Sequence, residues 1–193
     1  RLFIALRKDF AVRGQVGHKP AIRNVRFHFD VTKRAAQRIT HCRRQPVDAF
    51  TRLGTYRHAV GIQRSLIATA PLDIRLREDL AITLNHLGDL YRETEDFESA
   101  QEAFSEAAKL LTSMVQLAPK QTAFRSSLGA VLYNQGSVLI DLDDRDAAQK
   151  IWTQGLSHQQ AAVDQAPNIK GFRVFLERQQ ASLKAAFPNV SEN

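Results

Sequence analysis

Cysteine is almost missing from this chain of 193 residues: Cys42 stands alone, as do Met114 and Trp152. One thiol permits no disulfide within the chain and no zinc site built from several cysteines. It fits a reducing compartment, and the cytoplasm is the expected location. Long apolar stretches are missing as well. Near the start the longest is Leu2-Phe3-Ile4-Ala5-Leu6, well short of the ~20 residues a membrane helix needs and of a signal-peptide core. Glycine and proline are too few, at 9 and 6, for a collagen-like or mucin-like chain. What is present is 44% apolar and 24% charged residues, enough for a buried core and against global disorder. Because it begins at Arg1 and has its only methionine at Met114, the sequence reads as a piece of a longer chain or a processed product.

Acids are scarce only in one part. Residues 1–72 hold 15 Lys+Arg and three acids, Asp9, Asp30 and Asp48, whereas residues 73–193 hold 12 Lys+Arg and 17 acids. The formal charge of +7 therefore averages a basic segment at +12 and a mildly acidic one at −5.

The acidic part repeats itself. Pro71, Pro119 and Pro167 are 48 residues apart, and the same offset aligns Arg77/Arg125/Arg173, Leu80/Leu128/Leu176 and Leu76/Phe124/Phe172. Between the first two copies it continues through Leu84/Leu132, Gly88/Gly136, Asp96/Asp144, Ala100/Ala148 and Phe104/Trp152. Each unit reads as two helices. Ile74, Leu76, Leu80, Leu84, Leu87 and Tyr91 recur at three- and four-residue steps, as one buried stripe requires. Glu93-Thr94-Glu95-Asp96 interrupts the pattern, and Phe97, Ala100, Phe104, Ala107, Leu111 and Met114 resume it up to the next proline. Gly88 and Gly136 fall in mid-helix, where glycine costs about 1 kcal/mol relative to alanine, so a packing reason is expected. Ala100 and Ala148 would let the two backbones approach.

Leu84, Leu87, Gly88, Tyr91, Ala100, Phe104 and Ala107 resemble the tetratricopeptide signature at its usual internal spacing. With both helices lengthened, and with Asn85-His86-Leu87-Gly88 at its centre, the unit resembles a long type found in large bacterial proteins, some of which carry serine/threonine kinase domains. The second copy keeps Leu132, Gly136, Ala148 and Trp152 but has Gln135 and Gly155 where the family has Leu and Ala. The resemblance implies an all-α chain of antiparallel helical hairpins stacked as a right-handed superhelix. Its expected divisions are a basic segment (1–24), a degenerate helix pair (25–70), two units (71–118 and 119–166), a capping helix (167–187) and a tail (188–193). In the degenerate pair, helices are expected over about 25–44 and 47–69.

Stacked hairpins line a concave groove with the inner helix of each pair, suited to a peptide or partner helix. Carrying over the family's groove positions selects Ile82, Asn85, Asp89 and Arg92, then Ala130, Tyr133, Ser137 and Ile140. Asparagine both donates to and accepts from a peptide backbone, and tyrosine offers apolar area with a polar tip. The competing role for Asn85 and Tyr133 is to fill gaps between units. The degenerate pair would add Arg34, Gln37, Arg38, His41 and Arg44 as a basic groove end suited to an acidic segment or a terminal carboxylate.

Sharper chemistries fail. Asp141-Leu142-Asp143-Asp144-Arg145-Asp146 has Arg145 and Asp146 where an EF-hand needs its third ligand and its glycine. Acids ahead of a helix instead stabilise its positive end. His41 beside Cys42 lacks a second pair at metal-ligand spacing, and His86 near Asp89 is a helical neighbour pair. No Gly-x-Ser-x-Gly, phosphate-cradling glycine loop or kinase loop motif occurs. No metal, cofactor or catalytic residue is expected. The expectation is a non-catalytic protein-interaction module. The alternatives are the regulatory or substrate-recruiting part of a bacterial serine/threonine kinase, and nucleic-acid binding through the basic segment. Phe27 and Phe29 among arginines permit base stacking there, but no recognition motif supports it. The amphipathic start at Leu2–Lys8 would dock on another domain or touch an anionic membrane.

Overall fold

A computed structural model describes residues 48–188. The basic segment 1–24, the helix expected over about 25–44 and the tail beyond Pro188 lie outside the described residues. Six α-helices follow one another: α1 (Ala49–Thr69), α2 (Ile74–Glu93), α3 (Phe97–Leu117), α4 (Thr122–Asp141), α5 (Arg145–Gln165) and α6 (Lys170–Ala186). Among the described residues there is no strand. Helices begin at 49, 97 and 145 and again at 74, 122 and 170, each step being 48 residues. The architecture is an all-α array of antiparallel hairpins, an α-solenoid.

Local chemistry sets the helix ends. The carboxylates of Asp48, Asp73, Asp96 and Asp144 accept from the backbone N–H of Thr51, Arg75, Ser99 and Ala147 at 2.8–3.2 Å, each occupying a donor the first turn leaves unpaired. α1, α3 and α5 stop at Ala70, Ala118 and Ala166, one residue ahead of the three prolines. α2 and α4 end differently. Glu95 and Asp143 take left-handed backbone angles, φ 60° and 62°. The N–H groups of Asp96 and Asp144 reach back to the carbonyls of Tyr91 and Leu139, both at 2.9 Å. That six-residue closure reverses the chain within a few residues. It places α3 against α2 and α5 against α4.

Each helix packs on its sequence neighbour, and α2 also touches α4. Leu80, Leu84, Leu87, Ala100, Phe104, Ala107, Leu111, Met114, Leu128, Val131, Leu132 and Val138 belong to one core. Phe104 is fully enclosed, which is worth up to about 3 kcal/mol in transfer free energy. Its ring explains Gly88, because a Cβ there would lie 2.7 Å from the ring edge. Gly136 makes the same room for the ring of Trp152. Ala100 and Ala148 are wholly buried. Gly155, the departure from the family's alanine, has a reason of its own: a Cβ there would meet the Gly129 carbonyl at 3.0 Å. The second hairpin closes backbone to backbone at that point.

Candidate partner-binding face of the inner helices

α2, α4 and α6 are the helices related by the 48-residue step, and polar bonds cross between neighbouring ones. The Asn134 side-chain amide donates to Asn85 Oδ1 at 3.1 Å and to Asp89 Oδ1 at 3.2 Å. A carboxylate only accepts, so Asp89 fixes which end of the Asn134 amide is nitrogen, and Asn134 in turn fixes Asn85. With both Asn134 hydrogens used, the Asn134 carbonyl oxygen can still accept and the Asn85 amide nitrogen can still donate. These are the two groups an extended peptide backbone offers in return.

Arg92 grips Asp141 through two bonds, one of 3.2 Å to Oδ1 and a shorter one to Oδ2. Its basicity is raised, first by that hydrogen bond. Tyr133 donates from its hydroxyl to Ser182 at 2.9 Å and stacks on Trp152 with ring centres 5.3 Å apart. The Trp152 indole N–H donates to the Tyr133 carbonyl at 2.7 Å. Ser137 is buried and gives its hydroxyl proton to that same carbonyl at 2.9 Å. Ile140 is half-buried and Ile82 is 46% exposed, one of the larger apolar surfaces on α2. Asp89 keeps 44% of its side chain accessible, with His86 Nδ1 at 4.0 Å. Arg34, Arg38, His41 and Arg44 lie outside the described residues.

Asn134, Asp141 and Ser182 are the residues that sequence reasoning missed. A simple relation would have found them. Asn85–Asn134, Arg92–Asp141 and Tyr133–Ser182 are all separated by 49 residues, one more than the repeat. In these three pairs a residue meets the one following its own equivalent in the next unit. The Asp141–Asp146 run is used within the fold: Asp141 holds Arg92 and Asp144 caps α5. Among the described residues no cluster of three metal-binding side chains forms.

Residues 81–110 match the family model described as tetratricopeptide repeat. The matched stretch is the second half of α2, the tight turn and most of α3. The hairpin of α2 and α3 is of tetratricopeptide type over those residues. The tetratricopeptide hairpin is an interaction fold, typically without catalysis, and it sits in an array of hairpins of equal spacing. No curated protein matches the sequence. Among solved structures, BtubC (BKLC) from P. vanneervenii is similar over 89% of this chain and 78% of its own, with 15% identity and a TM-score of 0.39. No described helix is long and apolar enough to cross a membrane.

Proposed function

We propose that the tetratricopeptide array is a non-catalytic module that binds an extended peptide or partner helix on the face of α2 and α4, in the cytoplasm. The observation that carries this reading is the Asn85–Asn134–Asp89 tie. It fixes the orientation of two amides that keep one acceptor, on Asn134, and one donor, on Asn85, so a peptide pays little ordering cost to meet them. Ile82 adjoins this pair with apolar area, and Tyr133 and Ile140 extend it along α4. Arg92, already neutralised by Asp141, serves to hold the two helices in register.

Asn134→Ala removes the tie and leaves Asn85 free to rotate, without touching the core. Affinity capture with wild type and the Asn134→Ala and Asn85→Ala variants, followed by titration of the captured partner, tests the reading. Both variants are expected to weaken binding at least about tenfold, since each loses one to two hydrogen bonds, with thermal midpoints unchanged. Undiminished affinity in both would sink it.

The 48-residue helix period supports a second reading, that the array is the long-unit type and serves a serine/threonine kinase as its recruiting part. A glycine-rich loop and His-Arg-Asp motif in the same reading frame is what that requires. The nucleic-acid alternative rests on residues outside those described.

A further inference from the structure

The contacts that hold α6 to the rest of the array are few and mostly polar. Gln179 donates from Nε2 to the Gly129 carbonyl on α4 at 2.9 Å, and Gln159 on α5 donates to the Phe172 carbonyl at 2.8 Å. At the far end the Phe187 ring meets Trp152 edge-on at 5.9 Å, and Arg145 covers that ring at 5.1 Å. α6 buries only Leu176 and Gln179, whereas α4 buries nine residues, so opening α6 alone costs far less than opening α4. The docked helix also leaves one group unsatisfied: Gln179 Oε1 is buried with no hydrogen-bond partner. A buried acceptor without a donor favours any state that returns it to water.

What α6 covers gives this looseness a consequence. Tyr133, which the proposed partner face uses on α4, gives its hydroxyl proton to Ser182 of α6 at 2.9 Å. Its ring stacks on Trp152, which is only 8% exposed with Phe187 against it. Gln159 is wholly buried, its oxygen accepting from Ser126 at 3.0 Å while its nitrogen reaches the α6 backbone. The surface on which α6 rests therefore presents an acceptor at the Gly129 carbonyl, a hydroxyl at Tyr133, a donor at Gln159 and the ring of Trp152. It fits a helix with an apolar residue, a glutamine and a hydroxyl at three-residue steps, one face of a helix. Leu176, Gln179 and Ser182 supply that pattern.

We propose that the surface beneath α6 is a helix-binding site that α6 occupies in cis, as an autoinhibitory strap over the Tyr133 end of the partner face, and that the α6 of a second copy can take its place. Strap and incoming helix compete for the Tyr133 hydroxyl. The apparent affinity for a helix at this site is therefore set by the fraction of chains in which α6 has lifted. The blocking of a partner rests on the face proposed above, whereas the cis contact and its opening do not depend on it.

A fluorescein-labelled synthetic peptide of residues 167–188, titrated against the full chain and followed by anisotropy, tests it. Ser182→Ala in the chain removes one bond that holds the strap and leaves the site intact. It is expected to bind the peptide about fivefold more tightly than wild type, the factor one hydrogen bond carries. Tyr133→Phe loosens the strap equally but denies the same bond to the peptide, so its affinity should equal that of wild type. Without peptide, acrylamide quenching of Trp152, the sole tryptophan, should rise in both variants. Asn134→Ala, which acts on the α2–α4 face, should bind the peptide as wild type does, whether or not the partner reading survives. No binding to Ser182→Ala, equal binding by Ser182→Ala and wild type, or loss of binding in Asn134→Ala overturns the site.

Discussion

Gly88 and Gly136 are the residues on which hairpin closure turns, since each is replaced in volume by an aromatic ring from the facing helix. Gly88→Ala places a methyl 2.7–2.9 Å from three atoms of the Phe104 ring, which is itself fully buried. Overpacking of this kind costs about 1–3 kcal/mol, despite the better helix propensity of alanine. The expected result is a lowered midpoint in urea unfolding. Phe104→Leu, destabilising on its own, should partly rescue Gly88→Ala in the double variant, because the two share one space. Strict additivity would show that the ring and the glycine do not compete. Asn85, Asp89 and Tyr133 were picked out in the sequence through their place in the repeat, and each bonds to or faces a neighbouring unit. Their partners Asn134, Asp141 and Ser182 were not, because only the stacking of one inner helix on the next creates the one-residue shift that pairs them.

At the scale of elements, the helices are equal in spacing but unequal in how they are held. α3 is enclosed along its length by Ala100, Phe104, Ala107, Leu111 and Met114. α6 fully buries only Leu176 and Gln179. Its docking is largely polar: Gln179 donates to the Gly129 carbonyl at 2.9 Å, and Gln159 donates to the Phe172 carbonyl at 2.8 Å. At the far end Arg145 donates to the Ala186 carbonyl at 2.6 Å and covers the Phe187 ring at 5.1 Å, which in turn meets Trp152 edge-on. Gln180 and Lys184 occupy the positions where α2 and α4 have Leu84/Leu132 and Gly88/Gly136. Where Gly88 and Gly136 leave room for a ring from the facing helix, α6 has the long side chain of Lys184. Little buried apolar area makes local opening of α6 cheaper than global unfolding. Native-state hydrogen exchange should show α6 amides exchanging at least about tenfold faster than those of α3. Arg145→Ala should accelerate α6 about fivefold further, the loss of roughly 1 kcal/mol in cation–π contact, and leave α3 unchanged. Identical protection of α3 and α6 would mean that the array opens only as one unit.

For the whole molecule, stability should depend on pH through His158. Its pKa in the folded state lies below the ordinary 6.5, chiefly from burial. The unfolded chain therefore takes up that proton first as pH falls, and folding loses stability from about 6.5 downward until the folded form is protonated too. Urea midpoints should drop between pH 7.5 and 5, and His158→Gln should flatten part of that drop; a profile unchanged by the substitution would remove His158 from the account. The sequence by itself determined the array. Apolar stripes of helical period, aspartates ahead of helices and prolines behind them are local features that act within one turn, so the helices and their 48-residue spacing were legible without coordinates. It also determined which stripe of α2 and α4 is buried in the core, because that follows from helical periodicity. Only the tertiary structure decided how the other faces are used. Asn85 proved to be oriented through Asn134 by Asp89, Arg92 to be paired with Asp141, and Tyr133 to be bonded to Ser182. Each depends on the offset and closeness of two stacked helices, a distance between side chains that no spacing along a single chain encodes.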